Sequence, residues 1–336
     1  MKERNYNYDI MRIIACIMII CMHAPLPADE SKSLILNMLG YFTAPGLCMF
    51  FVLSGALLLP VKMDTFLFLK KRLGKVIMPT VCFSLLYLIL NALLGNEIDW
   101  VSSLCSIPFS AQGHGILWFM YTLIGLYLIS PILSKWLQST TKRELELYLC
   151  LWCLTLCYPI LKLFLQLNDS NTGILYYFTG YAGYFLLGYY LKTYPEALSL
   201  KRLVIPVAIA IVTPVLCKLI HIQVDFYSLF WYLSIFVAIL TVTMYQIINI
   251  TRIEGRKLSN IIVLGSNLSF GIYLVHIAVM RFWLWKQDWI INISNYYLQF
   301  AVVVVLTFAI SFIITYLIGW LPFGDHIIGF KFKNSK

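Results

Sequence analysis

Charge is what this sequence has least of. Only 12% of its 336 residues are Asp, Glu, Lys or Arg, and acids are outnumbered by bases, fifteen to twenty-five. A soluble globular domain carries about 25% charged residues, so that class is excluded. Other absences narrow the field. No Gly-rich phosphate loop, zinc-ligand spacing or Gly-x-Ser-x-Gly elbow occurs. No internal repeat of the kind found in many transporters is visible. The nine cysteines lie mostly within apolar runs and form no disulfide framework. Cys150, Cys153 and Cys157 of "CLWCLTLC" share a helical face, but no histidine or further cysteine joins them; they read as small packing residues. No loop is long enough for a folded extramembrane domain, so residues 1–336 are expected to form a single membrane-embedded domain.

What is present is apolar: 61% hydrophobic residues and a mean hydropathy of +0.82. Runs of about 17–25 such residues recur along the whole chain, the length that crosses a bilayer. Hydropathy breaks place spans at about 10–28, 42–60, 76–95, 116–134, 146–167, 174–191, 203–220, 228–250, 261–283 and 297–320. The expected fold is therefore an all-α polytopic bundle of about ten transmembrane helices, since lipid offers backbone groups no other partner. One set of loops holds Lys2, Arg4, Lys62, Lys70, Lys71, Arg72 and Lys75, then Lys135, Lys142, Arg143, Lys192, Lys201 and Arg202. Arg252, Arg256, Lys257, Lys331, Lys333 and Lys336 continue the same side. The other side has mainly Lys32 and Lys286 beside acids such as Asp29, Glu97 and Asp225. Basic loops stay in the cytoplasm, so both termini are expected there. The net charge of +10 has the same origin and implies contact with anionic lipid, not nucleic acid. The opening resembles a signal peptide, but Asp9 and Arg12 interrupt it and further spans follow at once, which favours an uncleaved first span.

That first span, "DIMRIIACIMIICMHAP", carries ionisable groups that cost several kcal/mol in lipid. Arg12 and His23 are eleven positions apart, three turns plus roughly 20°, so both leave one helix face about 16 Å apart along the axis. Asp9 sits at i−3 from Arg12, where the two can pair. Lipid cannot face that edge, so it should look into the bundle or a wet cavity. An interfacial anchor plus a packed histidine is the plainer alternative. His276, in "SFGIYLVHIAVMRF", lies about fifteen residues into a span that enters from the same side, and should match His23 in depth. "FLFLKKRLGKVIMP", the expected cytoplasmic connection before the third span, clusters Lys70, Lys71, Arg72 and Lys75. Such a cluster suits a phosphorylated ligand, Arg as a fork and Lys as a point charge. His114, between glycines in "AQGHGILWFMY", suits either a gating loop or a plain turn. His221 and His326 receive no role.

Taken together these residues resemble the family-3 membrane acyltransferases, bacterial proteins that move a short acyl group onto cell-surface glycans. The Arg12–His23 spacing, "FFVLSGALLL", "FLFLKKRLGKVIMP", "LWFMYTLIGLYLISPIL", "YFLLGYYL" and "SFGIYLVH" each resemble family segments, in order, through nearly the whole chain. Lys75 stands where the family's basic motif usually ends in a second arginine. No appended extracytoplasmic domain is evident, which implies direct acylation or a separate partner. The resemblance implies acetyl-CoA or another short acyl-CoA as donor substrate, no permanently bound cofactor and no metal. Its phosphates would rest on Arg72, Lys71 and Lys75, and its acyl arm would run towards His23. His23 would act as base or as acyl-carrying nucleophile, with Asp9 holding Arg12. Ser54, Trp118, Tyr273 and His276 would shape the acceptor side. The acceptor would be a hydroxyl of a surface or lipid-linked polysaccharide, the location the bacterial cytoplasmic membrane, and polysaccharide-assembly proteins the partners.

Two other classes compete. A transporter or flippase of glycan or small solute would line a path with these same polar residues. A non-catalytic scaffold would share the topology but leave the ionisable stripe unexplained. The basic cluster and the aligned Arg12–His23 edge favour the enzyme.

Overall fold

A computed structural model describes residues 4–25, 34–111, 117–165, 173–220, 229–251 and 256–332. Among these the chain is helical and contains no strand. The helices are α1 (Tyr6–His23), α2 (Leu34–Thr43), α3 (Pro45–Leu58), α4 (Thr65–Leu93), α5 (Trp100–Ser106), α6 (Trp118–Ser139), α7 (Lys142–Leu156) and α8 (Tyr158–Leu165). They continue as α9 (Ala182–Thr193), α10 (Leu200–Leu219), α11 (Ile235–Asn249), α12 (Arg256–Phe282), α13 (Asp288–Ile291), α14 (Tyr296–Trp320) and α15 (Gly324–Ile328).

Among the described residues seven segments are long and apolar enough to cross a membrane: Tyr6–His23, Met38–Leu58, Thr65–Leu93, Trp118–Ser139, Leu200–Leu219, Lys257–Lys286 and Tyr296–Trp320. The other three expected spans fall on shorter helices, for local reasons. Helix α7 ends at Leu156 and α8 restarts at Tyr158 with Pro159 in its first turn, a favoured place for proline, where the run 146–167 reads as continuous. Gly180, at φ +95°, separates a short turn at Tyr176–Phe178 from α9. The side chain of Ser234 accepts from Phe236 N–H and starts α11 later than hydropathy suggests.

The basic motif is a correction. "FLFLKKRLGKVIMP" is not a loop but lies within the early turns of α4, which Asp64 caps by accepting from Leu67 N–H at 3.0 Å. Leu, Lys and Arg are good helix formers, and one glycine, Gly74, costs only about 1 kcal/mol.

The chain divides into two compact units, residues 1–22, 27–61 and 132–259 in one, 23–26, 62–131 and 260–336 in the other. In the first, α3 and α9 cross with their backbones touching. A Cβ on Gly55 would stand 1.8 Å from the Phe185 carbonyl oxygen, and one on Gly188 would stand 1.8 Å from that of Val52. Small residues permit such contact between membrane helices, where packing replaces the hydrophobic drive. Trp152 of α7 lies over Gly183 and donates its indole N–H to the Gly180 carbonyl at 2.9 Å. Thr141 and Glu144 form a capping box at the start of α7.

Buried Gln246 of α11 donates its amide to the carbonyls of Leu198 at 2.7 Å and Pro195 at 3.2 Å, closing the turn before α10. Gln246→Leu leaves both acceptors unpaired. Thermal unfolding in detergent should show a loss of roughly 1–3 kcal/mol; an unshifted transition would mean that water satisfies that turn.

In the second unit Tyr87 of α4 donates its hydroxyl to the Leu274 carbonyl of α12 at 2.7 Å. Helix α14 buries only a stripe at every fourth position, Gln299 through Gly319, and exposes apolar side chains elsewhere, as a lipid-facing helix does. Short α15 packs on α4.

Candidate functional site

Helix α1 buries Tyr8, Asp9, Met11, Ala15, Cys16, Ile19 and Ile20. Wound at 100° per residue, these form one arc of about half the helix, and Arg12 and His23 fall within it. Exposed Ile17 lies on the other side. The charged edge thus turns inward, away from lipid.

Asp9 is almost wholly buried. The sequence suggests Arg12 as its partner, and their ion pair is present but long, at 3.8 Å. The stronger bond comes from Arg4. Its Nε donates to Asp9 Oδ2 at 2.6 Å and its Nη2 to Oδ1 at 2.9 Å, a two-pronged clamp. These bonds raise the Arg4 pKa above its ordinary value. Sequence reading misses Arg4, which counts there only as one more basic residue near the terminus.

The structure brings His23 and His276 together, with ring centroids 5.6 Å apart and planes tilted by 38°. His276 is fully buried. Its Nδ1 lies 2.5 Å from the Tyr273 carbonyl oxygen, one turn earlier in α12. A carbonyl only accepts, so Nδ1 carries the proton and Nε2 presents a lone pair. That Nε2 is buried and has no hydrogen-bond partner among the described residues. An unsatisfied acceptor in such a place is costly, and it offers a docking point to any hydroxyl brought beside it.

The remaining acceptor-side residues divide. Tyr273 lies with its ring centroid 5.7 Å from that of His276, and Phe119 packs edge-on against it at 5.3 Å. Trp118 precedes Phe119 at the start of α6 and is half-buried. Ser54 donates its hydroxyl to the Phe50 carbonyl within α3 at 2.8 Å, a bond internal to that helix. His114 and His221 lie outside the described residues, as do Lys2 and Arg252.

On α4, Lys71, Lys75 and Arg72 project within an arc of about 100°, whereas Lys70 leaves from another side. Lys71 and Lys75 are exposed. Arg72 is half-buried, and its Nε is a buried donor without a partner among the described residues. Lys75 also borders a cavity of about 770 Å3 shared with the turn that follows α15. His326, given no role from sequence, lines that cavity too.

A family model described as an acyltransferase domain matches residues 5–316. No curated protein and no solved structure matches the chain.

Proposed function

The chain belongs to acyltransferase family 3 and is a multi-pass membrane acyltransferase, and from that premise we propose that it moves an acetyl or other short acyl group from cytoplasmic acyl-CoA to a hydroxyl of a cell-surface or lipid-linked polysaccharide. The observation that carries the reading is the His23–His276 pair with its open Nε2. Acyl transfer to a hydroxyl needs a group that orients the O–H and one that takes its proton or carries the acyl group.

In this proposal His276 Nε2 accepts the hydrogen bond of the acceptor hydroxyl and aims its oxygen at the thioester. By one route His23 takes the hydroxyl proton as the oxygen attacks the thioester carbon. The C–O bond forms, the C–S bond breaks, and the proton passes to the departing CoA thiolate. By the other route a His23 nitrogen attacks the thioester carbon, the C–S bond breaks and CoA leaves as the thiol with the imidazole's proton. The hydroxyl oxygen then attacks the acyl-imidazole, the C–N bond breaks, and the freed imidazole takes the hydroxyl proton. Arg12 supplies positive charge along the same edge of α1, and Asp9 holds it. The donor's phosphates rest on Arg72, Lys71 and Lys75, with Arg72 Nε the unsatisfied donor that a phosphate oxygen would answer.

The remainder of the proposal is topological. The chain is one membrane-embedded domain of the bacterial inner membrane with both termini cytoplasmic. It has ten spans, α7–α8, α9 and α11 completing the shorter crossings. Acyl-CoA is a passing substrate, no cofactor is permanently held, no nucleic acid is bound, and polysaccharide-assembly proteins deliver or remove the glycan.

The test is purified protein in nanodiscs with radiolabelled acetyl-CoA and crude lipid-linked glycan. Label should appear in the glycan; glycan that stays unlabelled while the protein remains folded would overturn the assignment. The donor side has its own check. Arg72→Ala should weaken acetyl-CoA binding by about tenfold or more in equilibrium dialysis, because a fork-shaped donor is lost. Wild-type affinity in that variant would remove Arg72 from the donor site.

A further inference from the structure

The cavity beside Lys75 is walled on its far side by residues 325–332, which lie beyond the stretch matched by the family model, residues 5–316. This wall is firmly built. Phe332 donates its N–H to the Gly319 carbonyl at 2.9 Å and stacks on Trp320, centroids 4.7 Å apart. Phe330 meets Phe332 edge-on at 4.9 Å. Gly329 takes the left-handed conformation, φ +70°, and a Cβ there would stand 3.0 Å from the Phe270 ring. The turn thus closes against α12 at one point and α14 at another.

Three features of the cavity bear on its occupant. Its volume, about 770 Å3, falls in the range of small-molecule sites. Its charge is uneven: two cations, Lys75 and Lys331, line it against one carboxylate, Asp325, whose Oδ1 lies 3.1 Å from His326 Nδ1. Lys331 Nζ donates to the Pro322 carbonyl at 2.7 Å, which fixes the ammonium and leaves two of its three protons for a ligand. Phe330 adds an aromatic surface of the sort on which a base can lie. Phosphate between two ammonium groups beside a planar ring is the chemistry of a phosphorylated nucleotide. A lipid headgroup shares the phosphate but has no use for the ring.

We infer that this cavity binds the 3′-phosphoadenosine end of the acyl-CoA donor, with Lys75 and Lys331 on phosphate and Phe330 against adenine. The inference rests on the acyltransferase reading above and extends its donor site to the C-terminal turn. Lys331 and Phe330 then determine whether a donor with a nucleotide is preferred to one without.

The experiment compares two donors in phosphatidylcholine nanodiscs: acetyl-CoA, and acetyl-4′-phosphopantetheine, which has the same thioester arm but no nucleotide. Lys331→Glu should raise KM for acetyl-CoA by about tenfold and leave KM for acetyl-4′-phosphopantetheine at the wild-type value. Phe330→Ala should act in the same sense, Lys331→Arg should restore acetyl-CoA use, and Lys201→Glu, an exposed charge reversal elsewhere, should change neither donor. Equal shifts for both donors, or none for either, would overturn the cavity assignment while leaving the acyltransferase reading intact. An effect confined to nanodiscs containing phosphatidylglycerol would also overturn it, and would assign the cavity to a lipid headgroup. Wild-type protein that uses neither donor would overturn the acyltransferase reading, and this inference with it.

Discussion

Alanine in place of His23 is expected to lower acyl transfer by about 10²–10⁴-fold, the range for loss of a positioned acid–base group. The loss should fall on the chemical step, because the donor's phosphates are assigned to the basic turn of α4, which His23→Ala leaves alone. Acetyl-CoA binding by dialysis should therefore stay within about twofold of wild type. The side chain is half-buried at the last position of α1, so its removal should leave the helix folded. Rapid quenching into neutral denaturant during turnover, which spares an acyl-imidazole that acid would hydrolyse, tests the acyl-carrying route. Label retained on wild-type protein but absent from His23→Ala would identify that route. Undiminished transfer by His23→Ala would remove this imidazole from the chemistry altogether.

The second large effect concerns stability. Gly188→Val is expected to prevent recovery of folded protein, a cost of roughly 4 kcal/mol or more. A β-carbon at that position would overlap the Val52 carbonyl oxygen at 1.8 Å, and Gly55 faces Phe185 in the same way. Neither obstacle is the end of a flexible side chain, so the helices must separate to admit a side chain. Separation would forfeit packing along the whole α3–α9 crossing and the close Cα–H···O approach that backbone contact allows. Gly125→Ala is the control. It too is a helical glycine, but nothing lies within 4 Å of its added carbon. That substitution should be neutral or stabilising by up to about 1 kcal/mol. Size-exclusion profiles and thermal unfolding of the three proteins decide the matter, and a monodisperse Gly188→Val variant would contradict the crossing.

The inward edge of α1 was legible because two rules act on one contiguous segment. Helical periodicity aligns Arg12 with His23, and the penalty for ionisable groups in lipid turns that line towards protein. The nearness of His23 and His276 was legible only as a matching of depth from topology; their approach to 5.6 Å depends on how α12 packs. Three things escaped reading, each for a physical reason. Arg4 reaches Asp9 through the short stretch before α1, whose path no periodic pattern specifies. Helix α4 begins at Thr65 because hydropathy marks where lipid begins, not where hydrogen bonding begins, and a capped basic segment can be helical in water. The cavity wall at 325–332 joins residues such as His326 and Lys331 to Lys75 across a long sequence separation, through Gly329 and an aromatic cluster without a motif of its own.

The proton on His276 is placed by a main-chain oxygen, that of residue 273. Every amino acid brings the same oxygen to that position, so no replacement of Tyr273 that preserves the helix can delete it. The polarity of this imidazole is accordingly written in the path of the chain and passes unseen through any scan that exchanges side chains one at a time. It yields only to changes at His276 itself or to a shift in the turn of helix beneath it.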